Sequence, residues 1–363
     1  MREGFGIEST SISLQHKLQL LEALASAGLR RITLGAFVSP RYVPQMAQFE
    51  ELLRTMTPRP GVQYYTFTHN RRAREIAMRF SPPLTLDDNL CTFFDDLCDV
   101  HQRRNTNRSL ADSVRHWPEL TAQAREAGVS QGRVAIASAW GSNFLGPFSQ
   151  QDRLSFIGRQ IAAMEAAGIE VVELGLHDSQ SWCMPHDLED DLQQILRTWP
   201  SIRRFHLHMH NARGMALPCL YVALRTLRPS DSLLVDGTLG GIGGGQYCGN
   251  GTASGMVATE DFMHMLQGMG IEAGVDLGRL IEAVWLLEEI TGHAAFGHVS
   301  RAGPRPLRPE ERYDPNLPAI ESLQSARHFR LGPASYEAEG YRPWRNPIEG
   351  PWLDPQRVFE NSN

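Results

Sequence analysis

No stretch of this 363-residue chain stays apolar for the roughly 18 to 20 residues that a membrane-spanning helix requires, and no signal peptide precedes Arg2 and Glu3. The chain is therefore expected to be soluble and cytoplasmic, with no membrane partner. An excess of positive charge is also missing. The 35 basic and 41 acidic residues are spread along the chain, which leaves no electrostatic footprint for nucleic acid. Cysteine is sparse: Cys91, Cys98, Cys183, Cys219 and Cys248 are odd in number and irregular in spacing, so reduced thiols are expected in place of a disulfide framework. The length allows one large domain with an extension, or two domains.

What is present is alternation. Apolar positions Leu18, Leu20, Leu21 and Leu24 recur at helical spacing up to Gly28, and a strand follows at Arg31–Gly35. The pattern repeats as a helix over Tyr42–Met56 and a strand over Val62–Phe67, then as a helix over Arg71–Met78 and a weaker strand near Cys91–Phe94. Helices Leu110–Ala127, Arg153–Ala167 and Leu188–Thr198 lead respectively to strands at Val134–Ser138, at Glu170–Gly175 and around His206–His210. Helix Ala216–Leu227 leads to Ser232–Asp236. Units of about 30 to 40 residues in this order are the signature of a parallel α/β fold. Seven strands are visible, one short of a (β/α)8 TIM barrel.

The stretch His206-Leu207-His208-Met209-His210-Asn211 stands out, because side chains two apart on a strand share a face and so form a row of three imidazoles. A row of this kind suits a metal, although a buried strand can also carry hydrogen-bonded histidines. The glycine-dense run Gly240–Gly251 cannot hold a regular element and reads either as a mobile lid over the histidines or as a structural crossing. Helices follow at Glu260–Gly268 and Leu277–Ile290. From Gly303 onward, Pro, Arg and aromatic residues without periodicity read as an irregular extension, partly docked through Tyr341, Trp344 and Trp352. The expected division is 1–302 for the barrel and 303–363 for the extension.

Several segments resemble 3-hydroxy-3-methylglutaryl-CoA lyase and the wider DRE-TIM metallolyase superfamily, whose members carry a pyruvate carboxyltransferase-type domain. Phe37–Met46 resembles the segment after barrel strand 2, Arg2-Glu3-Gly4 the Arg-Asp-Gly that ends strand 1, and His208-Met209-His210-Asn211 the His-x-His-Asp/Asn of strand 7. Gly255–Asp261, Gly270-Ile271 and Gly274–Leu277 are similar to the C-terminal barrel segments. The resemblance implies that Glu3, His208 and His210 are ligands for Mg²⁺, Mn²⁺ or Zn²⁺, that Arg2 faces a substrate carbonyl, and that Asp178 lies near the reacting centre. His206 falls outside the motif and is expected to support the site or the core.

The departures are equally specific. The lyase carries a catalytic cysteine in Gly-Gly-Cys-Pro-Tyr, but here Gly245 stands at that place, and Cys248, three residues on, is the candidate replacement. Met256 occupies the position of the family's asparagine ligand, for which Asn250 could substitute. Thr33 replaces a glutamate on strand 2, and Gly6 a glutamine near the start.

The resemblance implies a divalent-metal-dependent carbon–carbon lyase or aldolase acting on a hydroxy-acyl substrate, including a CoA thioester, by a retro-aldol or retro-Claisen route. A base takes the hydroxyl proton and Arg2 faces the enolate that remains. The alternatives are an alkylmalate-synthase-like enzyme that condenses a 2-oxo acid with an acyl-CoA, and a non-catalytic barrel homologue. A homo-oligomer is the expected assembly. Because Arg2 and Glu3 directly follow Met1, no residues are left for a first barrel strand, so either the start lies downstream of the true one or another segment fills the gap. Seven strands and a poorly held Glu3 are the expected consequence.

Overall fold

The computed structural model describes residues 1–68, 71–86, 90–244, 255–318 and 342–350. The chain divides into two compact units, Met1–Gly297 and His298–Asn363. In the first, seven parallel strands alternate with helices. The strands are β1 (Arg31–Ala36), β2 (Gln63–Phe67), β3 (Leu90–Asp96), β4 (Gln131–Ala137), β5 (Glu170–Asp178), β6 (Arg204–Met209) and β7 (Ser232–Asp236). β1 pairs with β2, and β3 to β7 form a five-stranded sheet in sequence order. This is the α/β architecture of a TIM barrel with seven parallel strands among the described residues, as the alternation predicts. Residues 2–7 form turns, and the Arg2 backbone N–H donates to the Thr33 carbonyl at 3.0 Å.

The helices are α1 (Leu14–Ser26), α2 (Phe49–Thr55), α3 (Arg71–Met78), α4 (Asp99–Thr106), α5 (Leu110–Glu126), α6 (Gln150–Ala166), α7 (Pro185–Thr198), α8 (Ala216–Thr226), α9 (Thr259–Gly268) and α10 (Leu277–Thr291). Sequence signals set their starts. Ser109 with Asp112 and Ser149 with Asp152 form capping boxes at α5 and α6, satisfying amide groups that a helix N-terminus leaves open.

Two expectations need correction. Tyr42–Met56 is not one helix: a 3-10 turn at Pro44–Met46 precedes α2, which begins only at Phe49. Pro44 has no N–H to donate and fixes its own φ, so it starts a turn and cannot continue a helix from Tyr42. The strand near Cys91–Phe94 is longer than its pattern suggested, with seven consecutive pairs from Leu90–Gln131 to Asp96–Ala137. Its Asp95 and Asp96 hide the strand from a hydropathy reading.

Beyond a register shift between Gly132 and Arg133, the sheet alternates toward the C-terminal ends of its strands. Phe93, Val134, Leu174, Leu176, Phe205 and Leu207 point outward into a core with α5 to α9, each almost fully buried. A second core lies between β1 and β2 and helices α1, α2 and α10, with Leu20, Ile32, Leu52, Tyr64 and Val284 at its centre. No helix is long and apolar enough to cross a membrane among the described residues. Cys91, Cys98, Cys183 and Cys219 are buried free thiols. In the second unit, the Asn316 amide clasps the Ile348 backbone through bonds of 2.8 and 3.0 Å. Tyr341 and Trp352 lie outside the described residues.

Helices α6 and α7 are joined by a buried ion pair. Asp191 receives Nε and Nη2 of Arg153 at 2.7 and 3.0 Å and Nε1 of Trp140 at 2.9 Å. Removing the carboxylate leaves a guanidinium buried without its counter-charge, a loss of about 3–5 kcal/mol. Asp191→Ala should show this loss in urea unfolding at neutral pH. A change under about 1 kcal/mol would mean that solvent reaches Arg153 in its place.

Candidate active site

Parallel strands and an alternating pleat direct His177 of β5, His206 and His208 of β6, and Asp236 of β7 to the barrel interior. His177 pairs with His208, and His208 with Asp236, so these three form one layer near the C-terminal ends of the strands. Active sites of (β/α) barrels are built at that end. His210, just past β6, is held by its N–H to the Asp178 carbonyl at 3.1 Å and by a bridge to Met256.

The ligand-type atoms of Glu3, His208 and His210 all lie within 4.8 Å of one another. Residues far apart in sequence thus supply one carboxylate and two imidazoles to a single point. Glu3 is well held, contrary to expectation. Its side chain is paired with Arg2, and its carbonyl accepts the Gly6 N–H at 3.1 Å. Gly243 lies against its backbone, where a Cβ would sit 2.3 Å from the Glu3 oxygen. The Arg2 guanidinium lies 4.9 Å from the centre of the Phe67 ring.

Asp236, not singled out from sequence, organises the imidazoles. Its Oδ2 lies 2.9 Å from both His206 Nε2 and His208 Nδ1. An ionised carboxylate accepts the Nδ1–H of His208 and leaves Nε2 of that ring as a lone pair, which faces His210 Nε2 at 3.2 Å. His206 therefore supports the site through Asp236. The readable signal for Asp236 was its place at the end of a strand with the same inward parity.

His177 completes the wall. Its ring stacks on His208 with centroids 5.2 Å apart and meets the edges of His206 and Phe94. Its Nε2 has no hydrogen-bond partner among the described residues. Gly175, two residues earlier on the same face, leaves the space this ring occupies, since a Cβ there would approach His177 Nε2 to 3.0 Å.

Burial opposes charge on Glu3, but Arg2 and the two imidazoles prevail and its carboxyl stays below the usual value. Asp236 follows the same pattern more strongly: burial raises it, and His206 and His208 bring it well below the carboxylate range. Burial lowers His206, and Asp236 outweighs this and raises it. Burial, then the neighbouring His208, push His210 down to about 3. His177 lies well below the ordinary imidazole value through burial and then His206 and His208. His177 and His210 are thus neutral near pH 7, as ligands or proton acceptors must be.

Asp178, expected near the reacting centre, ends β5, and its carbonyl accepts the His210 N–H. It follows His177 directly and so faces the opposite side of β5. Its two oxygens accept the backbone N–H groups of Trp182 and Cys183 at 2.8 and 2.9 Å, pinning the turn after the strand. Met256 is buried beside His210, and Thr33 is exposed on β1. Gly245, Cys248 and Asn250 lie outside the described residues.

A sequence model of the HMGL-like family matches residues 1–286. The chain belongs to the HMGL-like family. Mitochondrial hydroxymethylglutaryl-CoA lyase of Bos taurus is 29% identical over 282 residues, 78% of this chain and 81% of the bovine protein. Cytoplasmic 3-hydroxy-3-methylglutaryl-CoA lyase of Mus musculus is 28% identical over the same length, 76% of the murine protein. Among solved structures, an HMG-CoA lyase from Acinetobacter baumannii, in complex with coenzyme A and 3-methylmalate, superposes with a TM-score of 0.69 at 25% identity. The match covers 85% of this chain and 94% of that one. The HMG-CoA lyase of Pseudomonas aeruginosa gives 0.67 at 26% identity, covering 83% and 94%. This HMGL-like chain is an enzyme of the carbon–carbon lyase kind.

The charges of this lyase's site carry a pH signature. Asp236 has a depressed folded pKa, so its contribution to stability is present above about pH 4 and is lost as pH falls through the folded value. His206 has a raised folded pKa, so its contribution is full below about pH 6.5 and is lost as pH rises through the folded value. Asp236 keeps 40% of its side-chain surface open, which weakens the pairing through solvent screening. With a chelator present, the stability difference between wild type and Asp236→Asn should peak between about pH 4 and 6.5 in urea unfolding. A difference that does not vary with pH would show that the pair stabilises nothing.

Proposed function

We propose that this enzyme cleaves a hydroxy-acyl substrate, a CoA thioester being the favoured form, by a divalent-cation-dependent retro-aldol or retro-Claisen reaction. The convergence of Glu3, His208 and His210 carries this reading. The donor set fits a cation. Asp236 fixes one lone pair on His208, His210 stays unprotonated, Glu3 stays ionised, and the two facing imidazole nitrogens have a positive charge to share only if one lies among them. A bound divalent cation supplies Lewis acidity that lowers the pKa of a substrate hydroxyl and polarises an adjacent carbonyl.

The chain's own residues supply the rest. Arg2 is a fixed positive charge beside Glu3, placed to stabilise negative charge on the enolate oxygen left when the carbon–carbon bond breaks. Phe67 and Phe94, with ring centroids 6.4 Å apart, form an apolar wall that limits water beside the imidazoles. The hydroxymethylglutaryl-CoA lyases among its relatives motivate the CoA thioester, as does coenzyme A in the Acinetobacter baumannii complex. The same groups serve the reverse condensation.

Metal analysis after equilibration with Mg²⁺, Mn²⁺ or Zn²⁺ tests the ligand set. His208→Ala and His210→Ala should lose bound metal and turnover of hydroxyacyl-CoA substrates together, and full occupancy in either would overturn the assignment. Gly243→Ala tests the anchoring of Glu3 without touching a ligand. The new Cβ must displace residues 3 and 4, at a φ of +88° that disfavours alanine, so metal affinity should fall about tenfold or more. Unchanged affinity would mean that Glu3 does not depend on this contact.

A further inference from the structure

A second acid–imidazole pair lies level with the site. Asp96, the last residue of β3, pairs with Ala137 of β4. Ala137 follows Ile136, which pairs with Leu176, so by register it stands beside His177. His177 pairs with His208, and His208 with Asp236. Asp96 therefore belongs to the same inward-facing layer. Phe94, two residues earlier, confirms the face, since its ring meets His177 at 5.2 Å. Asp95 points the other way, into the helical layer, where its carboxylate accepts from Trp117, Gln160 and Ser113.

Asp96 is bonded through Oδ2 to Nδ1 of His101, in the first turn of α4. The pair is rigidly framed. Asp96 Oδ1 accepts the Cys98 N–H at 2.9 Å, and the Asp96 N–H donates to Gln102 Oε1 at 3.0 Å. Asp96 and His101 are 3% and 5% exposed, so both are withdrawn from bulk water. With Nδ1 committed to Asp96, the exchangeable position of His101 is Nε2. A charge on His101 bears on His210, which puts the ring within electrostatic reach of the ligand cluster.

His177 also lines this layer with an unpartnered Nε2, but among the described residues no carboxylate is bonded to its ring as Asp96 is to His101. The remaining candidates for proton transfer are committed elsewhere. His208 is bound to Asp236, His210 belongs to the ligand cluster, and Asp178 faces away from the interior. We propose that His101, oriented by Asp96, moves the proton in the cleavage reaction; this rests on the lyase reading above. The bond that breaks joins the carbinol carbon to the α-carbon of the acyl group, and its electron pair passes to the α-carbon as an enolate. The hydroxyl oxygen becomes a carbonyl oxygen, and its proton goes to His101 Nε2. The same proton then passes from Nε2 to the α-carbon. One imidazole cycling between two states closes the balance, with Asp96 stabilising the imidazolium, and no oxidant or co-reactant is needed.

The test compares wild type with His101→Gln and Asp96→Asn, each loaded with the same divalent metal, in cleavage of hydroxyacyl-CoA substrates. A second readout is exchange of the acyl product's α-hydrogens with D₂O, which requires proton transfer but no carbon–carbon bond change. Asp95→Asn, in the helical layer, controls for damage to the fold and should lower the melting temperature without lowering kcat. His101→Gln should reduce kcat and α-hydrogen exchange by about 10²- to 10⁴-fold, and Asp96→Asn by about tenfold or more, with KM and bound metal unchanged. Wild-type protein that neither cleaves nor exchanges overturns the lyase reading and this proposal with it. Active wild type with His101→Gln within about threefold of it overturns the proposal alone. If His101→Gln does not fold, Asp96→Asn decides: a lowered kcat with KM and metal retained supports the proposal, and an unchanged kcat overturns it.

Discussion

Register across five parallel strands is the constraint on which the site depends. Because parity is carried from strand to strand by the hydrogen-bond ladder, Asp96, His177, His208 and Asp236 share one inward layer while Asp95, Leu176, Leu207 and Val235 face the helices. A slip of one residue in any pair would exchange those sets, placing charge in an apolar core and aliphatic side chains at the site. The outward core, with Phe93, Val134, Leu174 and Phe205 almost fully buried, opposes that slip. Each large apolar side chain so buried stabilises the fold by roughly 1.5–3 kcal/mol. Packing outside the barrel thus enforces chemistry inside it.

The polar interior is costly, and its groups are arranged to limit the cost. Asp236 serves two imidazoles at once, so one half-open carboxylate satisfies two ring nitrogens. Arg2 balances Glu3, and two histidines remain neutral. Such an arrangement leaves nitrogen lone pairs in a confined space, a poor design for stability alone and a suitable one for binding a cation. Membership of the HMGL-like family and the geometry of the cluster point the same way, although each rests on different information.

The inward layer also holds more than the family resemblance brought into view. His177 and His206 stand against His208, and the Asp96–His101 pair closes the same level from β3 and α4. Gly175 makes room for the His177 ring, and Gly243 makes room for the chain carrying Glu3. Two glycines therefore have positional work at the site, each through contact with a named atom and neither through flexibility.

The sequence by itself determined the parallel α/β class, the seven strands and the ligand candidates Glu3, His208 and His210. The class and the strands rest on local signals, hydropathy period and helix caps, the histidine row on its spacing of two, and the ligand set with Glu3 on the family resemblance. Cys91–Phe94 read as a weak strand because Asp95 and Asp96 interrupt its apolar pattern, and Tyr42–Met56 read as one helix because periodicity alone ignores what Pro44 does to the backbone. Asp178 was placed near the chemistry by alignment, and in the structure its carboxylate holds the turn after β5. Only the tertiary structure decided that Asp236 links His206 to His208, that Glu3 meets imidazoles some 200 positions away, and that Asp96 stands level with them. Those relations are set by inter-strand register and by the path of the chain between strands, which no local pattern of residues encodes.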